Sequence, residues 1–205
     1  MADSMDFNGA ETQDAAFDLI PANTLVKVTL SIRPGGTGPE GWLSQSRTSS
    51  ALYLNTEAVV LEGPHARRRI YTRIGFKGKS VNERGEDTYA NRGRALIRGI
   101  LESARGIKAS DQSEVARTAR MIRSLGDLNG LDFVAKVGVE KDRNNPDDAG
   151  RNVIKAAIGP EHAQYAAVMG AVPSAGMAVS PAQQTPAAQS APPAPSPSGA
   201  PFWAR

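Results

Sequence analysis

The 205-residue sequence contains no cysteine, which excludes disulfides, thiolate nucleophiles and zinc sites of the Cys type. Histidine is almost as scarce: His65 and His162 are the only two, too few for a His-rich metal site. Long apolar runs are missing as well, and the stretch from Ala166 to Val172 is far too short to cross a bilayer. The opening MADSMDFNGAETQD carries acids and no base, so it lacks the basic n-region of a signal peptide. There is no G-x-x-x-x-G-K-S/T loop, no G-x-S-x-G elbow, no H-E-x-x-H helix and no glycine-rich dinucleotide turn between a strand and a helix. His65 falls in the turn GPHARRR, His162 close to the C-terminal tail, and Asp147-Asp148 in an Asn/Pro loop, each in the setting of a solvated surface residue. No catalytic residue, metal ligand or cofactor is therefore assigned. The expectation is a non-enzymatic intracellular protein.

What is present is charge, unevenly placed. The total is only +3, from 24 Lys+Arg against 21 Asp+Glu. Residues 1–20 hold Asp3, Asp6, Glu11, Asp14 and Asp18 and no base, a net −5. Residues 67–108 hold twelve bases (Arg67, Arg68, Arg69, Arg73, Lys77, Lys79, Arg84, Arg92, Arg94, Arg98, Arg105, Lys108) against four acids, a net +8. A block of that density is either a solvated face or the electrostatic footprint of a phosphate-binding surface. The acidic arm has the charge to fold over such a face and compete with nucleic acid.

Composition divides the chain into three parts: an acidic arm (1–20), a folded domain (21–160) and a Pro/Ala/Ser-rich tail (161–205). The tail carries eight prolines between Pro173 and Pro201 and cannot bury enough apolar surface to offset its ordering entropy, so disorder is expected. It ends in GAPFWAR, where Phe202 and Trp203 have the look of a short docking peptide for a replication or repair protein.

Within the domain, Val26, Val28, Leu30 and Ile32 alternate with polar residues as a first strand, stopped by Pro34-Gly35-Gly36. Leu52 to Leu61 is a second. Arg69 to Lys77 is a third, with Ile70, Thr72, Ile74 and Phe76 on one face and Arg69, Tyr71, Arg73 and Lys77 on the other. After a polar loop over residues 78–91, Leu96, Ile97, Ile100, Leu101 and Ala104 form the stripe of a helix from about Asn91 to Arg105, ending at Gly106. A second helix is expected from Asp111 to Ser124, with Val115, Ala119 and Ile122 buried. Leu131 to Val139 and Asn152 to Ile158 complete five strands. The order β-β-β-α-β-β is that of an OB-fold, a partly open five-stranded barrel; a small α+β sheet is the alternative.

Single-stranded nucleic acid is bound by cations that track the backbone and flat rings that stack on bases. The row Arg69, Tyr71, Arg73, Lys77 interleaves both. Tyr53 on the second strand, Trp42 in the first long loop and Tyr89 in the basic loop are further platforms, and Lys79, Arg84, Arg94 and Arg98 extend the charge. The plain alternative is that Tyr53 and Tyr71 are ordinary sheet aromatics and that Trp42 pins its loop to the core.

The pieces IPANTLVKVTLSI, LYLNTEAVVLEGPHARRRIYTRI, ALIRGILESARGI, LNGLDFVAKVGVE and NVIKAAI, spread over Phe17 to Ile158, resemble an uncharacterised family of phage and prophage proteins encoded among recombination and replication genes. The resemblance implies an OB-fold single-stranded DNA-binding protein in the cytoplasm of a bacterial host cell, with RNA a second ligand of the same chemistry and no membrane contact. A homo-oligomer is compatible with it, and it supplies no site residues. The tail is laid out like that of bacterial single-stranded DNA-binding proteins, a linker and an apolar tip. Those tips are acidic and end in Pro-Phe, whereas PFWAR is basic and runs three residues past Phe202. An interaction adaptor, with the barrel binding one protein and the tip another, is the competing expectation.

Overall fold

The structure is a computed structural model that describes Asp6, Asn8, Gly9 and residues 18–170, apart from Arg143, Pro146 and Asp147. Its elements are β1 (Leu25–Arg33), β2 (Ser44–Gln45), β3 (Leu52–Val60), β4 (Arg69–Lys77), α1 (Thr88–Ala104), α2 (Glu114–Ala119), β5 (Asp132–Glu140), β6 (Arg151–Ile158) and α3 (Tyr165–Met169). All strand pairs are antiparallel. With the two-residue β2 set aside, the spatial order is β4-β3-β1-β5-β6. Three strands in succession and a fourth lying back beside the first is a Greek key. The result is mainly β, an open antiparallel sheet of six strands where the sequence suggests five in a barrel. Among the described residues no ladder joins β4 to β6; the two meet where the buried Thr72 Oγ1 accepts the Ile154 N–H at 2.9 Å. No described helix is long and apolar enough to cross a membrane.

The alternation seen in sequence becomes two faces. Val28, Leu30 and Ile32 of β1, Leu54, Ala58 and Val60 of β3, and Ile70 and Ile74 of β4 point inward with Phe133, Ala135 and Val137 of β5, and all are buried in one core. Phe76 departs from its row and is 41 % exposed. The register steps from Leu52↔Lys77 to Tyr53↔Gly75, so Phe76 is the extra residue of a bulge, which breaks the alternation there.

Helix α1 begins at Thr88 because Asp87 caps it: Oδ1 accepts the Ala90 N–H at 2.9 Å while Oδ2 holds the Gly78 N–H at 2.6 Å. It ends in a Schellman motif, Ile107 N–H to Glu102 O and Gly106 N–H to Ser103 O, with Gly106 at φ +65°. Its inner end, Ile100 and Leu101, joins the core. The second helix is much shorter than expected, and Val115 is 78 % exposed. Ser113 caps it, Ala116 is its buried residue, and the chain from 105 to 123 is held by arginines instead of an apolar stripe. Arg120 donates to Glu102 Oε1 at 2.6 Å, Asp111 O at 2.8 Å and Lys108 O at 2.9 Å, and Arg105 donates to Ala119 O and Met121 O.

The folded body runs past residue 160, where the sequence places the start of the tail. Helix α3 covers the outer face of β5, with Tyr165 and Met169 packed on Val134, and the Tyr165 hydroxyl donates to Ser103 O at 2.6 Å. At the other end Ile20 and Asn152 exchange hydrogen bonds, Ile20 N–H to Oδ1 at 2.9 Å and Nδ2 to Ile20 O at 2.8 Å, tying the entering chain to β6.

Two glycines seat α1 on the sheet. A Cβ at Gly93 would lie 1.7 Å from the Gly75 carbonyl oxygen, so no side chain fits without lifting the helix from β4. Gly93→Ala is therefore expected to destabilise the protein by about 3 kcal/mol in a urea titration. At Gly99 the nearest atom to an added Cβ is the Ala157 Cβ at 3.4 Å, and the gain in helix propensity offsets that contact, so Gly99→Ala is expected to change stability by less than about 1 kcal/mol.

Candidate nucleic-acid interface

Antiparallel register places three side-chain rows on the outer face of β1, β3 and β4. Arg33, Asn55 and Arg73 form one row, Ser31, Glu57 and Tyr71 the next, and Tyr53 lies opposite Gly75. Gly75 carries no side chain because Tyr89 from the start of α1 lies over it; an added Cβ would sit 2.8 Å from the Tyr89 ring. Three tyrosines thus converge from separate segments. Burial pushes the Tyr89 hydroxyl above its ordinary pKa, while Tyr71 stays 46 % exposed.

The cations of this face are arranged around rings and one acid. The Arg33 guanidinium carbon lies 5.0 Å from the Tyr71 ring centre, and that of Arg73 lies 5.1 Å from the Tyr53 ring centre. Glu57, only 8 % exposed, receives Arg69 Nη1 on Oε1 at 2.8 Å and Arg33 on Oε2. The Arg33 hydrogen bond, with Arg69 adding to it, holds the Glu57 carboxyl below its usual pKa against the opposing effect of burial. Arg33 is held more firmly protonated by the same bond. One buried carboxylate therefore keeps two guanidiniums fixed beside an open ring.

Two clefts border this surface along the seam between β4 and β6. One, of about 520 Å³, lies among Arg33, Asn55, Tyr71, Arg73, Tyr89 and Arg151. The other, of about 530 Å³, lies among Leu19, Ile20, Arg67, Arg68, Arg69 and Arg151. Both also touch Tyr71, so that ring stands on the ridge between them. Apart from Glu57 at the edge, the acid facing this seam is Glu140, paired with Arg151 at 2.7 Å.

The residues singled out from sequence separate into groups. Tyr53, Arg69, Tyr71 and Arg73 share the face, but Lys77 does not: beyond the bulge at Phe76 it pairs with Leu52, whose side chain packs on the core side, so the parity shift takes Lys77 out of the row. Lys79 and Arg84 are exposed on the adjoining 78–87 loop, which is closed by Asn82 Oδ1 accepting the Arg84 and Glu86 N–H groups at 2.9 Å each. Arg94 is exposed on α1, 3.1 Å from Asn91 Oδ1. Arg98 belongs to the architecture: it donates to Glu102 at 2.8 Å and Ala109 O at 3.2 Å, alongside Arg120. Trp42 is partly buried on the core, its ring against Gly126, and its indole donates to Glu40 at 3.2 Å; it pins the loop. Phe202 and Trp203, and Asp3, Glu11 and Asp14 of the acidic arm, lie outside the described residues. Asp18 offers only its carbonyl to Arg68.

Arg33, Asn55, Glu57 and Arg151 were not apparent as site residues in the sequence. Strand parity alone put Arg33 and Asn55 on outward positions, but their meeting with Tyr71 and Arg73 is set by strand pairing. No family model matches the chain, and no curated protein shows significant similarity to it.

Glu57→Gln tests the acid's role. Removing the charged acceptor of two guanidiniums is expected to cost about 2 kcal/mol at pH 7. Because the folded carboxyl titrates below its ordinary value of 4.5, its stabilisation is complete above that value and is lost as pH falls through the lowered folded value. Urea midpoints of wild type and variant should therefore stay fully separated above about pH 5 and converge as pH falls below 4.5.

Proposed function

We propose that this chain is a non-enzymatic single-stranded DNA-binding protein of phage or prophage type, acting in replication or recombination, with its sheet forming an OB-fold barrel left open between β4 and β6. The observation that carries the proposal is the pairing of rings with guanidiniums on one face: Arg33 over the exposed Tyr71 and Arg73 over the half-buried Tyr53. An exposed cation–ring pair is worth about 0.5–1 kcal/mol, whereas a base stacked on an aromatic ring contributes about 1–3 kcal/mol. A base therefore displaces the arginine from the ring and frees the guanidinium for the adjoining phosphate. A strand laid along the seam passes Tyr71 with Arg69 and Arg151 on one side and Arg33 and Arg73 on the other. The Greek-key order supports the barrel, since the OB-fold is a partly open Greek-key barrel whose binding face includes its second and third strands; those are β3 and β4 here. The PFWAR tip would recruit a replication or repair protein.

Fluorescence anisotropy with a labelled 20-nucleotide oligomer at several salt concentrations tests this. Engagement of about five phosphates predicts a slope near −3 to −4 in log K against log salt, at about −0.7 per phosphate on a single strand. Tyr71→Ala is expected to weaken binding about tenfold. Tyr165→Phe, buried under α3 against β5 and away from Tyr71, should leave affinity unchanged. Absence of binding at low salt refutes the proposal.

A further inference from the structure

Stacking and phosphate contacts tolerate any sequence, yet the centre of this face holds a group that does neither. Asn55 stands between Arg33 and Arg73 in the cross-strand row. The two guanidiniums on either side are drawn to Tyr71 and Tyr53, one residue pair along the strands in opposite directions. The Asn55 side chain is partly buried, lies in the wall of the 520 Å³ cleft beside Tyr71 and Tyr89, and has no hydrogen-bond partner among the described residues. A carboxamide recessed in this way offers one donor and one acceptor side by side.

We propose that Asn55 is a base-reading residue that gives the interface a preference for adenine; this rests on the reading of the face as a single-strand interface. The base enters the cleft against Tyr71 or Tyr89 with its edge toward Asn55, and its phosphates face Arg33 and Arg73. The amide then accepts from the base's amino group and donates to a ring nitrogen, the bidentate pairing by which Asn and Gln recognise adenine N6 and N7. Adenine is favoured because its amino donor has a ring-nitrogen acceptor on both sides, N7 and N1, so the amide finds a pair with either edge presented. Thymine offers its carbonyl acceptors around a single N3–H, and its methyl group blocks the remaining edge. Guanine presents two acceptors, N7 and O6, on the edge where adenine presents a donor and an acceptor.

The test is competition-free anisotropy with dA and dT 20-mers for the full chain, Asn55→Ala and Asn55→Ser, with melting curves for all three. The measured quantity is the ratio of dA to dT affinity, in which the oligomers' own stacking cancels between variants. The expected result is that this ratio falls about tenfold in both variants, with dT affinity within about twofold of wild type. A ratio unchanged by either substitution, in a variant whose melting curve shows it folded, overturns the base-reading role while leaving single-strand binding intact. No binding of either oligomer by the wild type instead removes the single-strand reading on which the role rests.

Discussion

The candidate face depends on how closely α1 lies against β4. With Gly93 stacked on the backbone of Gly75, the helix sits at a distance that no Cβ would permit. Three consequences follow. Tyr89, in the first turn of the helix, is laid over Gly75 and next to Tyr53. Asp87 reaches both the helix N-terminus and Gly78, which folds the 78–87 loop back on itself. Helix α1 also packs across the ends of β4, β5 and β6, supplying Ile100 and Leu101 to the core. The inner surface is closed from below, and the outer face of β3 and β4 is left to solvent.

Two buried glutamates organise the arginines of this protein for different ends. Glu102, 6 % exposed, gathers Arg98 and Arg120, and with Arg105 on the carbonyls of Ala119 and Met121 it fixes a segment that has almost no apolar residue of its own turned inward. Glu57 gathers Arg33 and Arg69 on the opposite task, holding cations at a surface beside the exposed Tyr71 ring. Its two guanidiniums stay more than half exposed although the carboxylate is buried, so the second group also serves by where it keeps its charges. A base count cannot tell the two apart, because Arg69 of one cluster and Arg98 and Arg105 of the other add to the same basic block over residues 67–108.

The extent of what was legible follows the range of each signal. The strands now numbered β1, β3, β4, β5 and β6 and helix α1 are each readable from periodicity, and the stop of α1 from Gly106, since these depend on neighbours within a turn or two. The Asp111–Ser124 helix failed because Val115 matched the helical period with no surface to bury against and Ile122 packs on the core from beyond the short helix, while polar bonds from Arg105 and Arg120 took over the holding. Phe76 failed for a bulge, which shifts parity by one residue and leaves no mark in the sequence. Trp42 was weighed both ways, and packing on the core and Gly126 decided for the anchor.

By itself the sequence determined that β4 would carry cations and a ring on one face and apolar groups on the other, because side-chain alternation is a property of the local backbone. It determined the charge segregation in the same direct way. Only the tertiary structure decided that Arg33, Asn55 and Arg73 form a row, that Arg151 faces Tyr71 across the seam, and that Arg98 is turned to Glu102. Those juxtapositions are set by register and packing between segments distant in the chain, where one choice of strand neighbour moves every contact at once and no local pattern records it.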